Sequence, residues 1–177
     1  MPNWLKFAIA FASAFVLMLA FRALAFSVYT VEGKGLQPVY ISGDRLLVNK
    51  WSYGLRIDGG GIIPYSRMLR KPVQRGDIVL FDLPNDTIQG EFIARCKAVP
   101  GDTIQVQNRM VVIPGLKDCA DADYYWLESI YPKNPADSRY LGFISERNII
   151  GKVVTILYSH DDQRDFWEGY REERILQ

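Results

Sequence analysis

The sequence predicts a mainly β domain, a partly closed sheet standing behind one N-terminal apolar helix. Three observations lead there. Residues 7–21 form an uncharged run, and no second apolar run of spanning length occurs in the 177 residues. Short β-rich runs then follow at even spacing, separated by Gly-Asp and similar turn signals. Beyond residue 30 there is no long helical period and no internal repeat. At this length one domain with a sizeable core is the expectation.

The leader reads FAIAFASAFVLMLAF over residues 7–21. A bilayer core takes about 20 mostly apolar residues, Arg22 near one end can snorkel to the interface, and Trp4 and Tyr29 sit where interfacial aromatics belong. Residues 1–28 are therefore read as a membrane anchor and 29–177 as an exported domain. Lys6 and the amino terminus favour an N-terminus on the inside. A cleaved secretory signal is the rival, with Ala23-Leu24-Ala25 as its A-x-A site. Arg22 just before and Phe26 just after fit that site poorly.

Composition narrows the function classes. The chain is 49% hydrophobic and 23% charged, with formal net charge +1. Residues 1–30 hold Lys6 and Arg22 and no acid, leaving 19 basic against 20 acidic residues in the remainder. A near-neutral domain argues against nucleic acid as the main partner, because phosphate binding draws on a basic excess. A single apolar run excludes a polytopic transporter. Cys96 and Cys119 would face a disulfide-permissive compartment, and the sequence leaves a free thiol and a bridge equally open.

The strand candidates, in order, are residues 45–49 (RLLVN), 77–82 (DIVLFD), 91–99 (EFIARCKAV), 103–107 (TIQVQ), 110–113 (MVVI) and 152–158 (KVVTILY). Gly43-Asp44, Gly76-Asp77, Gly101-Asp102 and Asn108-Arg109 mark turns between them. Residues 57–75, with Gly59-Gly60-Gly61, and residues 114–137 read as irregular. The tail from Ser159 reads as a solvated helical end or surface arm. His160 is the chain's one histidine, and no Cys/His cluster, P-loop or dinucleotide fingerprint is present. No metal and no cofactor is expected.

Three ordered segments carry the functional signal. The first is Gly35-Leu36-Gln37-Pro38 followed by Ser42-Gly43-Asp44-Arg45-Leu46-Leu47-Val48-Asn49-Lys50 and Tyr53-Gly54. Next come Arg75-Gly76-Asp77-Ile78-Val79-Leu80-Phe81 and Ala94-Arg95-Cys96-Lys97-Ala98-Val99-Pro100-Gly101-Asp102. The third is Asp137-Ser138-Arg139 with Gly142 and Ile149-Ile150-Gly151-Lys152. In this order and behind this leader, they resemble the type I signal peptidases, membrane-anchored serine endopeptidases that remove signal peptides from exported proteins. The resemblance implies a signal-peptidase-like β domain, a leader retained as a single-pass anchor in the cytoplasmic (inner) membrane, and signal peptides or preproteins as partners.

The same resemblance locates a gap in the chemistry. The family uses a Ser/Lys dyad: a hydroxyl nucleophile and a lysine whose pKa is lowered by an apolar pocket. Its Ser-Met-x-Pro corresponds here to Gly35-Leu36-Gln37-Pro38, which puts Gly35 at the nucleophile. Its Lys-Arg run before Pro-Gly-Asp corresponds to Ala94-Arg95, which puts Ala94 at the base. The serine that helps orient the lysine is Pro135, and the hydroxyl donor two residues before the nucleophile is Gly33. Pro38, Gly43-Asp44 and Pro100-Gly101-Asp102 leave no room for a register slip. Strand alternation puts Lys97 on the opposite face from Ala94 unless a bulge re-aims it. Lys34 sits in a turn beside Gly35, and Ser42 has no lysine placed beside it. Leu36, Pro38, Phe92 and Ala94 are expected to line a peptide groove, with Asp137 and Arg139 as a structural pair nearby. The leading expectation is a non-cleaving member that binds peptides or an intact paralogue. The alternatives are an active peptidase with a relocated nucleophile and a purely structural export component.

Overall fold

The three Gly-Asp pairs are built alike, and they set the corners of the domain. In the computed structural model the described residues are 2–33, 35–57, 64–82, 90–118, 121–131, 137–161, 164–165 and 167–175, with backbone alone for 20–24. Gly43, Gly76 and Gly101 have φ of 91, 89 and 87°, a region open chiefly to glycine. Each following aspartate closes the turn by taking the backbone N–H three residues earlier: Ile41 to Asp44 at 2.9 Å, Gln74 to Asp77 at 3.1 Å and Val99 to Asp102 at 2.8 Å. At Gly43 the constraint is double, because a Cβ there would sit 1.8 Å from the His160 carbonyl oxygen.

Between these corners run the strands. Helix α1 (Asn3–Ala25) leads into β1 (Phe26–Thr30), followed by β2 (Asp44–Asn49), β3 (Leu55–Ile57), β4 (Ser66–Met68), β5 (Ile78–Asp82) and β6 (Glu91–Ala98). The order continues with β7 (Thr103–Val106), β8 (Arg109–Val112), β9 (Tyr124–Ser129), α2 (Ser138–Leu141), β10 (Ile144–Ser145) and β11 (Ile149–Ser159). Seven strands form one antiparallel sheet in the order β1-β2-β11-β5-β6-β9-β10, and β3-β4 and β7-β8 are separate hairpins. All six expected strands are present, with no end displaced by more than three residues. Five others, β1, β3, β4, β9 and β10, were not expected from the sequence. β9 (YYWLES) escaped because three consecutive residues, Tyr125 to Leu127, are buried, so it lacks the alternation of a half-exposed strand. β1 escaped because its apolar residues continue the leader without a break.

The sheet is packed on both faces, which period-2 alternation makes possible. One face gathers Val79, Phe81, Ala94, Cys96, Tyr125, Leu127, Ile144 and Ile149. The other gathers Val31, Tyr40, Leu46, Val48, Leu80, Ile93, Val153 and Ile156. Neighbours in sequence such as Leu80 and Phe81, or Ile93 and Ala94, therefore enter different cores. In β11 the register with β2 shifts between Val153 and Thr155 and between Ile156 and Tyr158. Val154 and Leu157, the two residues so displaced, are exposed.

Helix α1 stands apart from both cores. Leu5 aside, every described side chain from Asn3 to Leu19 is exposed, including Trp4, Phe7, Phe11 and Phe15. Among the described side chains, no helix is long and apolar enough to cross a membrane.

The C-terminal tail corrects the expectation of a solvated helical end. It folds back as a clamp on the first Gly-Asp turn. Arg174 donates to both carboxylate oxygens of fully buried Asp44, at 2.9 and 3.3 Å, and to the Val39 carbonyl at 2.7 Å. Ser159 adds a third side-chain donor to Asp44 at 2.6 Å. Arg171 reaches the Ser42 carbonyl at 3.2 Å, and His160 pairs with Tyr170 in an isolated bridge.

Burial alone would raise the Asp44 carboxyl, but Arg174, Ser159 and the Ile41 N–H together hold it below the ordinary carboxylate range. Asp77 is lowered likewise, its burial outweighed by donors from Lys152, the Gln74 backbone and Tyr53. A group depressed in the folded state contributes stability that is present above its unfolded pKa and lost as pH falls through the folded one. Urea unfolding of the full chain in detergent is therefore expected to weaken from about pH 5 down to about pH 2, with a flatter profile in Asp44→Asn. Glu146, which burial pushes upward, works in the opposite sense and tempers the slope. Arg174→Ala, which leaves a buried carboxylate short of its cation, should cost about 3 kcal/mol at neutral pH, read as a fall in the urea midpoint.

Candidate functional site

Gly35 and Leu36 lie in the turn segment after β1, and Phe92 lies near the start of β6. The curl of the sheet brings them to one cleft. β1 and β6 are not neighbours in the sheet, yet the Tyr29 hydroxyl donates to Glu91 Oε1 at 3.3 Å across the gap between them. Under that bridge is a cleft of about 360 Å³. One wall is residues 29–32 with Gly35 and Leu36; the other is residues 91–93 with Leu80.

Both walls present backbone with hydrogen-bonding capacity to spare. β1 is the outermost strand and pairs only with β2. β6 pairs with β5 from Glu91 onward, but its register with β9 begins only at Ala94. Residues 91–93 thus have no ladder partner on their second side among the described residues. Two facing strand edges with an apolar floor of Leu36, Leu80 and Ile93 can accept an extended chain by strand addition.

Ala94 is placed differently from the expectation. It is fully buried in the first core, among Val79, Phe81, Cys96 and Leu127, and it does not line the cleft. Pro38 does not line it either: it is exposed on the turn beyond Leu36. Its peptide bond with Gln37 is cis. The reason for both is local. Ala94 shares the inward face of β6 with Cys96, while the turn after Leu36 carries Pro38 out towards solvent.

The neighbourhood of Ala94 holds one buried polar group that sequence reasoning missed. Ser129 on β9 is Ala94's cross-strand partner, it is 8% exposed, and its hydroxyl has no hydrogen-bond partner among the described residues. Its backbone N–H donates to Asp137 at 3.2 Å. Strand pairing had to be known before Ser129 could be set beside Ala94, and β9 was not legible as a strand. Cys96, two residues along the same face, is a buried free thiol pushed up to about 12 by burial first and then by the charges of Asp77 and Asp102. It stays a thiol at neutral pH. Cys119, Lys34 and Pro135 lie outside the described residues.

Lys97, the candidate for a relocated base, is exposed with its Nζ 3.9 Å from Glu128 Oε2. The β6–β9 register does shift between Cys96 and Ala98, but that irregularity leaves Lys97 in solvent. Ser42 is exposed as well. Lys152 is paired with Asp77 at 2.6 Å, and the Tyr53 hydroxyl donates to the other Asp77 oxygen at 3.0 Å. None of the three is placed as half of a nucleophile–base pair at the cleft.

Asp137 and Arg139 are together, as expected. The Asp137 carboxylate is fully buried and caps α2, accepting from the Arg139 backbone at 2.9 Å and from Arg139 Nε at 2.8 Å. This pairing raises the Arg139 guanidinium above its ordinary value. Next to it, the Ser138 hydroxyl accepts the Leu127 N–H at 2.8 Å. The pair and its neighbour thus stitch the segment after residue 136 onto β9, immediately beside the strand opposite Ala94. A larger cavity, about 760 Å³, lies elsewhere between residues 72–75, 99–101 and 115–118 and contains none of these positions. Among the described residues no His, Cys, Asp and Glu cluster could hold a metal ion.

Residues 3–123 match the family described as signal peptidase, peptidase S26. Signal peptidase I of Bacillus caldolyticus is 27% identical, over 75% of this chain and 79% of that protein. Signal peptidase I P of Bacillus subtilis subsp. natto is 24% identical, with 90% of each chain covered. Signal peptidase I of Buchnera aphidicola subsp. Schizaphis graminum is 33% identical over 91% of this chain and 77% of that protein.

Because Asp137 answers a buried strand N–H, a helix N-terminus and a guanidinium at once, its removal should be felt well beyond α2. Asp137→Ala is expected to destabilise the chain by about 2–4 kcal/mol, read as a lowered urea midpoint. Arg139→Ala, whose side chain is partly exposed, should cost clearly less in the same titration.

Proposed function

This chain belongs to the signal peptidase family, peptidase S26, and from that membership we propose a membrane-bound, non-cleaving relative of signal peptidase I that holds extended peptides in the cleft between β1 and β6. The observation that carries the reading is the pair Gly35 and Ala94. Glycine has no group that can attack a carbonyl, and alanine none that can take a proton. Losing either half of a catalytic pair removes most of its acceleration, and losing the second adds little. The surroundings favour loss of the groups alone. The Ala94 position is dry and apolar, the environment that lowers a lysine's pKa enough to make it a base.

Peptide binding needs only what remains. An extended segment between residues 29–32 and 91–93 would satisfy free backbone groups on both sides, with small side chains entering the floor formed by Leu36, Leu80 and Ile93. Signal peptides of preproteins are the proposed occupants, and an intact paralogue is a candidate partner. Helix α1 is the proposed single-pass anchor in the cytoplasmic (inner) membrane, with the β domain on the exported side. Its backbone is continuous over 23 residues, about 35 Å at the helical rise. Residues 7–19 of this helix are uncharged, exposed and packed against neither core, which suits contact with lipid. On this reading the anchor ends at Ala25, where β1 begins.

Full chain in proteoliposomes, incubated with a purified preprotein, is expected to yield no mature product at the usual site, while a photocrosslinker at Leu36 or Phe92 captures the signal peptide. Cleavage by a preparation free of other peptidases overturns the reading. Gly35→Ser with Ala94→Lys is expected to restore detectable cleavage, since a lysine at 94 would meet the Ser129 hydroxyl. Alkaline carbonate extraction should leave the full chain in the membrane pellet and release a chain lacking residues 2–25.

A further inference from the structure

Among the described residues, the charged groups lining the cleft are of one sign. Among the described lining residues they are Glu32 and Glu91. Both are exposed, and neither has a cationic partner among the described residues. The contrast with the adjacent acid is informative. Asp82 is the direct cross-strand neighbour of Glu91, and it is neutralised by Arg56 at 2.9 Å and hydrogen-bonded by Asn148 at 3.0 Å. Glu91 receives only the neutral Tyr29 hydroxyl. That phenol stays protonated, pushed up to about 12 by burial and by the Glu91 charge. The Arg56–Asp82 pair shows that this corner of the sheet can place an arginine on an acid, and it does so one strand away from the cleft.

From this arrangement, and resting on the peptide-binding reading above, we infer that the cleft selects an extended peptide carrying a lysine or arginine whose side chain reaches Glu91 and Glu32. The backbone edges of residues 29–32 and 91–93 hold any sequence alike, because strand addition uses main-chain groups. Discrimination therefore falls to the side chains at the rim. A cation there meets two carboxylates beside an apolar floor and can form charge-assisted hydrogen bonds to Glu91. The binding step makes and breaks no covalent bond. Glu32 and Glu91 each precede the Gly35 and Ala94 positions by three residues in sequence, so the proposed cation contact is set apart from both.

The test is fluorescence anisotropy of the full chain in detergent with labelled 12-residue alanine-rich peptides. One set places lysine at each position in turn, a second places norleucine, and a third places glutamate. At low salt the best lysine peptide is expected to bind about 10-fold more tightly than its norleucine counterpart, and the glutamate peptide more weakly than either. The advantage should collapse in 0.5 M salt and in Glu32→Gln/Glu91→Gln. Equal binding of lysine and norleucine peptides at every position overturns the charge inference and leaves the groove standing. Failure of all three sets to bind overturns the peptide-binding reading, and this inference with it.

Discussion

Everything in the β domain hangs on the aspartate that follows glycine. Three times the chain makes a turn that only glycine adopts easily, and three times the next carboxylate closes it by accepting an N–H from three residues back. Each of these aspartates then takes a cation from a distant element: Asp44 from Arg174, Asp77 from Lys152, Asp102 from Arg75. A local turn is thereby bolted to the tertiary structure. The sheet's register follows, because the turns at Gly43 and Gly76 set where β2 and β5 begin, and the turn at Gly101 closes β6. The three pairs differ in worth. The Arg75 side chain is 64% exposed, so water screens its bond to Asp102. Asp44, wholly buried, carries most of the consequence.

The candidate site inherits its geometry from this frame. The Asp44 turn, clamped by the C-terminal tail through Val39 and Ser42, fixes the end of the segment carrying Gly35 and Leu36. The Asp77 turn starts β5, which aligns β6 and hence Phe92 and Ala94. Asp137 fixes the strand opposite Ala94 from the other side. On the proposed reading, a framework this complete around Gly35 and Ala94 separates a lost reaction from a lost fold. Sheet and cleft are formed with glycine and alanine at these two positions, so neither depends on a larger side chain there.

Legibility was uneven for physical reasons. Strands with one wet face announced themselves by alternation or by flanking turns, as β2, β6, β7 and β8 did. β9 did not, because both of its faces are covered. The short hairpin β3–β4 adjoins a glycine-rich stretch and has little pattern of its own. The tail's arginines and glutamates read as a solvated arm, since nothing local marks a guanidinium destined for a buried carboxylate 130 residues away. Within the site, the faces of β6 followed from alternation, and Leu36 and Phe92 both line the cleft. Pro38 and Ala94 were not in the cleft, because alternation gives a side chain's face but not how deeply that face is covered.

The sequence by itself determined the family, the turn chemistry and the residue types at positions 35 and 94. Those are properties of residue type at a given position, and no packing can supply a hydroxyl to glycine. Only the tertiary structure decided that β1 and β6 face each other with open edges, that Ser129 lies opposite Ala94, and that Glu32 and Glu91 line one cleft with no cation beside them among the described residues. Each of these depends on how a curled seven-stranded sheet brings together residues far apart in the chain. Strand spacing in sequence carries no measure of that curl.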